Sequence, residues 1–254
     1  MPLAYILDAC PNWFQVSCAS QDEILGSARI EVEGAADMIS AELRVHIKNG
    51  AVAVQEQVPG TKYPKTCHER HLQSDEHFCL GMHAGDSIVS KDYAVVWWGM
   101  LKHFLELQRV AQRTKRWPPQ QQMSHGNGGP HQVAAVAAAK ALGVEDAYMR
   151  MLEGEETWFS VGAFKINERG KLAHGWLPCP VGCKHGGKAV PRSRCCNPNA
   201  VATLLNEERL RRKKVASFYA LSHAFGEVCC GTMLNCPLRD LATLSSAATS
   251  TAAA

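Results

Sequence analysis

Leu43, Val45 and Ile47 alternate with Arg44, His46 and Lys48. That is the period of a strand with one buried face. Asn49-Gly50 follows, and because both residues tolerate positive φ, the pair predicts a hairpin turn. Ala51 to Val58 is the predicted return strand, closed by Pro59-Gly60, and Arg29 to Val32 predicts an earlier strand. From about Tyr93 the period becomes helical. Trp97, Leu101, Phe104, Leu105 and Gln108 share one face, with Lys102, Glu106 and Arg109 opposite. This helix should stop near Arg116, ahead of Pro118-Pro119. A glycine-rich loop from Ser124 to Pro130 precedes an alanine-rich helix from His131 to Leu142, with Gly143 as its C-cap. A further helix is expected from Val144 to Leu152, then a strand from Thr157 to Ile166 and a turn at Asn167–Gly170. Gly175 to Cys196 is loop-like. Asn197-Pro198 opens a last helix, with Asn as N-cap and Pro at the first helical position, which extends to about Phe225. Leu241 to Ala254 has few large apolar residues and reads as a disordered tail.

These elements define an α+β chain. An antiparallel meander with flanking helices occupies residues 1–160. A small cysteine-rich helical module follows at 161–240, and then the tail at 241–254. At 254 residues and 46% hydrophobic content the chain can build a packed core. No apolar run reaches the roughly 18 residues of a membrane span. The start lacks the pattern of a signal peptide, so a cytoplasmic protein with no membrane partner is expected. In a reducing compartment, 11 cysteines read as metal ligands, nucleophiles or small buried groups. The net charge of +3 conceals an asymmetry: residues 165–215 hold 12 Lys/Arg against 3 Asp/Glu, so a basic module follows a mildly acidic one.

The chemistry concentrates between Tyr63-Pro64 and Gly81, in Cys67-His68-Glu69-Arg70-His71-Leu72-Gln73-Ser74-Asp75-Glu76-His77-Phe78-Cys79-Leu80. Cys79 follows a polar turn and has apolar neighbours. An unperturbed thiol has a pKa near ~8.5, so a nucleophilic cysteine needs polar helpers nearby. Asp75, His68, His71, His77 and His83 are the candidates. Two other readings stand beside this one: Cys79 as a small core residue, and Cys67, His71, His77 and Cys79 as zinc ligands.

The order of meander, Tyr63-Pro64, the His71–Leu80 run, Trp97-Trp98 and an amphipathic helix resembles the active-site region of ubiquitin-conjugating enzymes. The bacterial versions found beside ubiquitin-like and activating proteins are the nearer likeness. The resemblance spans about Leu43 to Arg116. It implies an acyltransferase in which Cys79 accepts a ubiquitin-like protein as a thioester from an activating enzyme. The carried group then passes to an acceptor. His71 stands where the family has the Asn of its His-Pro-Asn element, and Glu76 where its turn usually has Gly. Asp75 is the accompanying acid–base or positioning residue. The family's long N-terminal helix is not evident before Leu43. By the same resemblance, a deconjugating protease from the same operon and a role in antiviral defence are expected.

Cys179-x3-Cys183-x11-Cys195-Cys196 is a second signal. Four thiolates satisfy tetrahedral zinc, and a stretch this poor in large apolar residues needs such support. Cys179-Pro180, Gly186-Gly187-Lys188 and Cys195-Cys196 are similar to the zinc-binding tail of the SecA translocase. Cys229, Cys230 and Cys236, with His223, are further candidate ligands, so zinc is the expected cofactor. The run Arg211-Arg212-Lys213-Lys214 suits an acidic protein partner or a solvated face. The scarcity of aromatic residues beside it argues against nucleic acid. A zinc-binding adaptor without catalysis, or a Cys/His hydrolase, are the alternatives to acyl transfer.

Overall fold

The computed structural model describes residues 1–32, 37–157, 175–179 and 181–239. They form two compact units: residues 1–118 with the segment from Glu227 onward, and residues 119–226. The boundary expected after residue 160, the strand from Thr157 to Ile166, the turn at Asn167–Gly170 and the tail after 240 lie outside the described residues. Among the described residues, no helix is long and apolar enough to cross a membrane.

The first unit is a four-stranded antiparallel meander in the order β1 (Phe14–Ala19), β2 (Glu23–Ile30), β3 (Ile39–Lys48) and β4 (Ala51–Glu56). Helix α1 (Pro2–Asp8) precedes the sheet and α2 (Lys91–Thr114) follows it. Alternation sets the faces. Ile24, Ala28 and Ile30 of β2, Leu43 and Val45 of β3, and Val52 and Val54 of β4 point into one core. The expected hairpin forms, with Asn49 at φ 50° and Gly50 at φ 84° closing the pair Lys48–Ala51. Helix α2 buries Trp97, Leu101, Phe104, Leu105 and Gln108, the predicted face, with Trp98 beside them. The Trp98 indole N–H donates to the Ile6 carbonyl at 2.9 Å, which ties the short α1 to α2. The strand expected at Arg29–Val32 is the end of the longer β2, and β1 was not anticipated.

In the second unit, α3 (Gly129–Ala141), α4 (Glu145–Leu152) and α5 (Pro198–Ala224) enclose a core of Ala135, Ala139, Tyr148, Leu204 and Leu205. Alanines let α3 approach α5 closely. The Asn197 side chain caps α5 by accepting from the Ala200 N–H. The glycine-rich loop is a packing element: a side chain at Gly126 would meet Phe218 of α5 at 2.8 Å. A two-residue hairpin, β5 (Lys184–His185) and β6 (Lys188–Ala189), lies between the paired cysteine motifs.

The basic run is not simply a solvated face. Glu208, fully buried, accepts both Arg211 Nε at 2.6 Å and Arg211 Nη2 at 2.7 Å, Arg212 Nε at 2.6 Å, and the Tyr148 hydroxyl at 2.6 Å. Burial opposes ionisation of Glu208, but the Arg211 hydrogen bonds prevail and hold its carboxyl below the usual range. Two of the four cations are therefore turned onto a carboxylate of their own helix.

Removing one member of a buried ion pair strands the other, at about 3–5 kcal/mol. Glu208→Ala should lower the stability of this unit by that order in denaturant melts. Because the folded pKa is depressed, the Glu208 contribution is complete above the ordinary carboxylate pKa. It is lost as pH falls through the lower folded value. The stability difference between wild type and Glu208→Gln should therefore shrink on acidification.

Candidate active site and cysteine clusters

The segment after β4 is built onto the core one contact at a time. The buried Glu56 carboxylate accepts the N–H groups of Gly60 at 3.1 Å and Lys62 at 2.7 Å, which folds the chain back at Pro59-Gly60. Tyr63 is thereby buried edge-on to Phe78, with ring centroids 5.8 Å apart, and Phe78 stacks on Phe104 at 4.9 Å. Arg70 is also buried. Its Nε donates to Gln108 Oε1 at 2.9 Å and its carbonyl accepts from the Gln108 amide at 2.5 Å. Cys67 and Leu72 exchange backbone hydrogen bonds at 2.9 and 3.0 Å.

These contacts aim the Cys79 region. The Phe78 N–H donates to the Val54 carbonyl at 2.9 Å, and the Cys79 N–H donates to the His71 carbonyl at 2.8 Å. Cys79 is half-buried on the wall of a cleft of about 330 Å³ that is also lined by Lys48, Asp75, His77, Gly81 and Asp86. Between Ala84 and Asp86, which line the cleft, the Gly85 carbonyl accepts the Val52 N–H at 3.0 Å. A β-carbon there would sit 2.2 Å from the Val52 oxygen, so only glycine fits.

A polar network occupies the cleft. The His77 Nδ1–H faces the Asp75 carbonyl at 2.8 Å and Oδ1 at 3.1 Å. Its Nε2 lies 3.0 Å from His46 Nε2. With Nδ1 as the donor, Nε2 accepts from His46. Burial and then the neighbouring His77 push the His46 imidazole below its ordinary range, so it is neutral at neutral pH. Lys48 forms an ion pair with Asp75. Burial opposes ionisation of Asp75, but the Lys48 and His77 hydrogen bonds outweigh it and hold the carboxyl low. Asp75 is thus an anion at neutral pH, fixed beside the thiol's cleft.

Of the candidate helpers, Asp75 and His77 share the cleft with Cys79. His71 sits elsewhere: its ring is buried 4.8 Å from Trp117, and its backbone carbonyl is what reaches Cys79. His68 faces Glu227 at 2.5 Å, and His83, exposed, faces Asp86 at 2.8 Å. Lys48 and His46, which sequence reasoning missed, project from β3 on the face opposite Val45. The alternation of that strand carries the signal.

Glu76 has φ 72°, the left-handed conformation that glycine adopts without cost. That agrees with its place in a turn where the resembled family usually has Gly. Its Oε1 pairs with Lys65 at 2.8 Å.

The cysteines fall into two groups. In the second unit, Cys179 and Cys195 are buried with their sulfurs 3.8 Å apart, and Cys183 hydrogen-bonds to Cys179. The Val181 amide donates to Cys179 and the Asn197 amide to Cys195, the latter at 3.4 Å. Burial opposes ionisation of Cys179, but these donors hold its thiol below the usual value. A Zn–S distance of about 2.3 Å gives a tetrahedral edge of about 3.8 Å between sulfurs, so the Cys179–Cys195 separation is compatible with zinc. In the first unit, Cys230 shares a hydrogen bond with Cys67 at 3.0 Å. That contact lowers the Cys230 thiol to about 5 and pushes Cys67 upward, giving one thiolate and one thiol. Cys67 is thus engaged with Cys230 rather than with Cys79. Burial and then the neighbouring Cys229 push the Cys236 thiol upward. Among the described residues, no group of three or more His, Cys, Asp or Glu side chains is placed so that it could hold a metal ion. The groups are close pairs.

Residues 13–119 match the family model of the prokaryotic E2 domain. Residues 124–238 match that of the cysteine-rich domain C-terminal to the E2 domain. The chain therefore carries a prokaryotic E2 domain followed by its cysteine-rich domain. No curated protein and no solved structure matched it.

A non-glycine residue in the left-handed region costs about 1–2 kcal/mol, and an exposed Lys–Glu pair contributes about 0–1 kcal/mol. Glu76→Gly should therefore stabilise the first unit by roughly 0.5–1 kcal/mol, read as a rise in the thermal midpoint, with the cleft intact.

Proposed function

We propose that this protein is a ubiquitin-conjugating-like acyl carrier. Cys79 takes a ubiquitin-like protein from an activating enzyme and passes it to an amine. The observation that carries the reading is the position of Cys79 in an E2 domain. Its amide is held by the His71 carbonyl, and its side chain lies on a cleft with a fixed anion, Asp75, and a neutral His46 in contact with His77.

In the first step the Cys79 thiolate attacks the carbonyl of the donor thioester. The activating enzyme's thiolate leaves, and the acyl group rests on Cys79 as a new thioester. In the second step an acceptor amine attacks that carbonyl, the Cys79 thiolate departs, and the amine's proton must be removed. Asp75, ionised and aimed into the cleft, is the nearby acceptor for that proton, with Lys48 and His77 fixing its orientation. Bond exchange between thioesters is close to isoenergetic, so the fold's task is positioning.

In the cysteine-rich domain, Cys179, Cys183, Cys195 and Cys196 would hold one zinc ion. When bound, it would supply a structural cross-link at the edge of the helical core to which Cys179 and Cys195 belong. Burial of Cys179 and Cys195 in the helical core supports this reading over a solvent-facing ligand set.

Mixing the protein with its activating enzyme, ATP and the ubiquitin-like protein should give an adduct on a non-reducing gel that thiol reductant cleaves. Cys79→Ala should give none, and Cys79→Ser a reductant-resistant ester. An adduct unchanged in Cys79→Ala would refute the assignment. Asp75→Asn should leave charging near normal and slow discharge to an amine on the order of 10²-fold.

Zinc in the cysteine-rich domain is checked separately. Cys179→Ser should lose about one equivalent by elemental analysis and lower thermal stability, while Cys79 charging measured at low temperature persists. An unchanged metal content would exclude these ligands.

A further inference from the structure

The segment from Glu227 to Cys236 and beyond falls in the cysteine-rich family match, yet it belongs to the first compact unit. Several contacts hold it there. Met233 is buried in the core that contains Leu72 and Phe78. The Leu234 N–H donates to the Lys115 carbonyl at 2.9 Å, and Glu227 meets His68 at 2.5 Å. Arg239 donates to the Met233 carbonyl at 2.6 Å and closes the segment on itself. Held in this way, the Cys230 sulfur stands 3.0 Å from that of Cys67, 163 positions away in sequence. Cys67 is buried, and Cys230 is half-buried against the same core.

The separation decides what the pair can do. Sulfurs that share a zinc ion stand about 3.8 Å apart, and Cys179 and Cys195 are at that distance. A disulfide needs about 2.05 Å. At 3.0 Å the Cys67–Cys230 pair is closer than a zinc edge, and an approach of about 1 Å would make the bond. Both ends of the pair are supported. Cys67 exchanges backbone hydrogen bonds with Leu72 at 2.9 and 3.0 Å. On the other side Gly231, at φ 77°, makes the turn after Cys230, and the Thr232 hydroxyl lies 3.0 Å from the Cys230 sulfur. That hydroxyl can donate to a thiolate. Cys230 is also the more exposed of the two, so it is the sulfur that an oxidant in solution reaches first.

The geometry points to Cys67 and Cys230 as a redox-active dithiol, which a small disulfide such as glutathione disulfide closes and a thiol reductant opens. The Cys230 thiolate attacks one sulfur of glutathione disulfide. The glutathione S–S bond breaks, one glutathione leaves as its thiolate, and Cys230 keeps the other as a mixed disulfide. Cys67, giving its proton to solvent, then attacks the Cys230 sulfur and expels the second glutathione. Two protein thiols are oxidised, and one glutathione disulfide is reduced to two thiols. The place of the bond gives it a consequence. Leu72, paired with Cys67, follows His71, whose carbonyl holds the Cys79 amide. The disulfide would lock the C-terminal segment to the base of the loop that presents Cys79. Cys79 takes no part in the exchange, so the dithiol stands whether or not Cys79 carries an acyl group.

The test equilibrates the reduced full chain in glutathione buffers of rising oxidised fraction. Samples are quenched in acid, alkylated and mapped by mass spectrometry. The Cys67–Cys230 disulfide should form at an oxidised fraction roughly tenfold below the one that places glutathione on Cys18, a thiol exposed on β1. Dithiothreitol should reopen it. Closure should raise the thermal midpoint of the first unit by roughly 5–10 °C, and reductant should reverse the rise. Cys230→Ser should abolish both the cross-link and the rise. Glutathione on Cys18 while Cys67 and Cys230 still alkylate would overturn the proposal. So would Cys230 recovered only as a glutathione adduct, or joined to Cys229 or Cys236, or an oxidised chain that melts no higher. The wild-type map needs no variant, so it decides even if Cys230→Ser misfolds. Thioester formation on Cys79 is not part of the readout, so this proposal and the acyl-carrier reading fail separately.

Discussion

The clamp on Phe78 is the contact on which the rest of the E2 domain depends. The ring lies between Tyr63 and Phe104, and its amide is tied to β4 through Val54. The next residue is Cys79. With Phe78 fixed by one stacked ring, one edge contact and its backbone, the following side chain has little choice but to face the cleft. Aromatic pairs of this kind contribute about 0.5–1.5 kcal/mol beyond their buried area. They also join three separated segments: the Tyr63-Pro64 bend, the Phe78-Cys79 segment and α2. Tyr63-Pro64 therefore acts at a distance. It supplies no chemistry, but it supplies one wall of the clamp.

What could be read from the sequence followed from local regularity. β3 and β4 were legible because Leu43, Val45 and Ile47 alternate and Asn49-Gly50 demands a turn. The face of α2 was legible because its aromatic and leucine positions fall at helical spacing. β1 and most of β2 were not. β1 buries only Phe14 of its six residues, so it has no period to detect. In β2 the buried positions include Gly26 and Ala28, too small to mark an apolar face. The seven-residue α1 is shorter than a window in which helical periodicity can be counted.

The site divides along the same line. Cys79 follows closely on the turn that holds Asp75 and Glu76, so their roles could be framed from spacing. His71 could not, because sequence does not distinguish a ring from a carbonyl. The ring went to Trp117, and the backbone went to Cys79. This reading eases the absence of the family's Asn in one respect: support of the nucleophile's backbone at this position needs no particular side chain. His46 and Lys48 were hidden for a different reason. They were seen only as the polar half of an alternating strand, while the strand's polar face is what the cleft uses.

Cys67 shows the limit most clearly. Its neighbours His71, His77 and Cys79 left a local metal site open as an alternative, since ligands close in sequence need little loop closure. The fold instead turns the Cys67 sulfur toward a segment 163 residues downstream. The placement has a physical sense. A thiolate cluster beside the nucleophile would compete with it for electrophiles and metals. Directing Cys67 toward Cys230 leaves Cys79 as the cysteine that lines the cleft. The same arrangement makes the C-terminal end of the cysteine-rich domain part of the E2 core, through Met233 and Leu234. Truncation before Glu227 would remove core contacts as well as thiols, so the E2 domain is structurally complete only with residues drawn from both family matches.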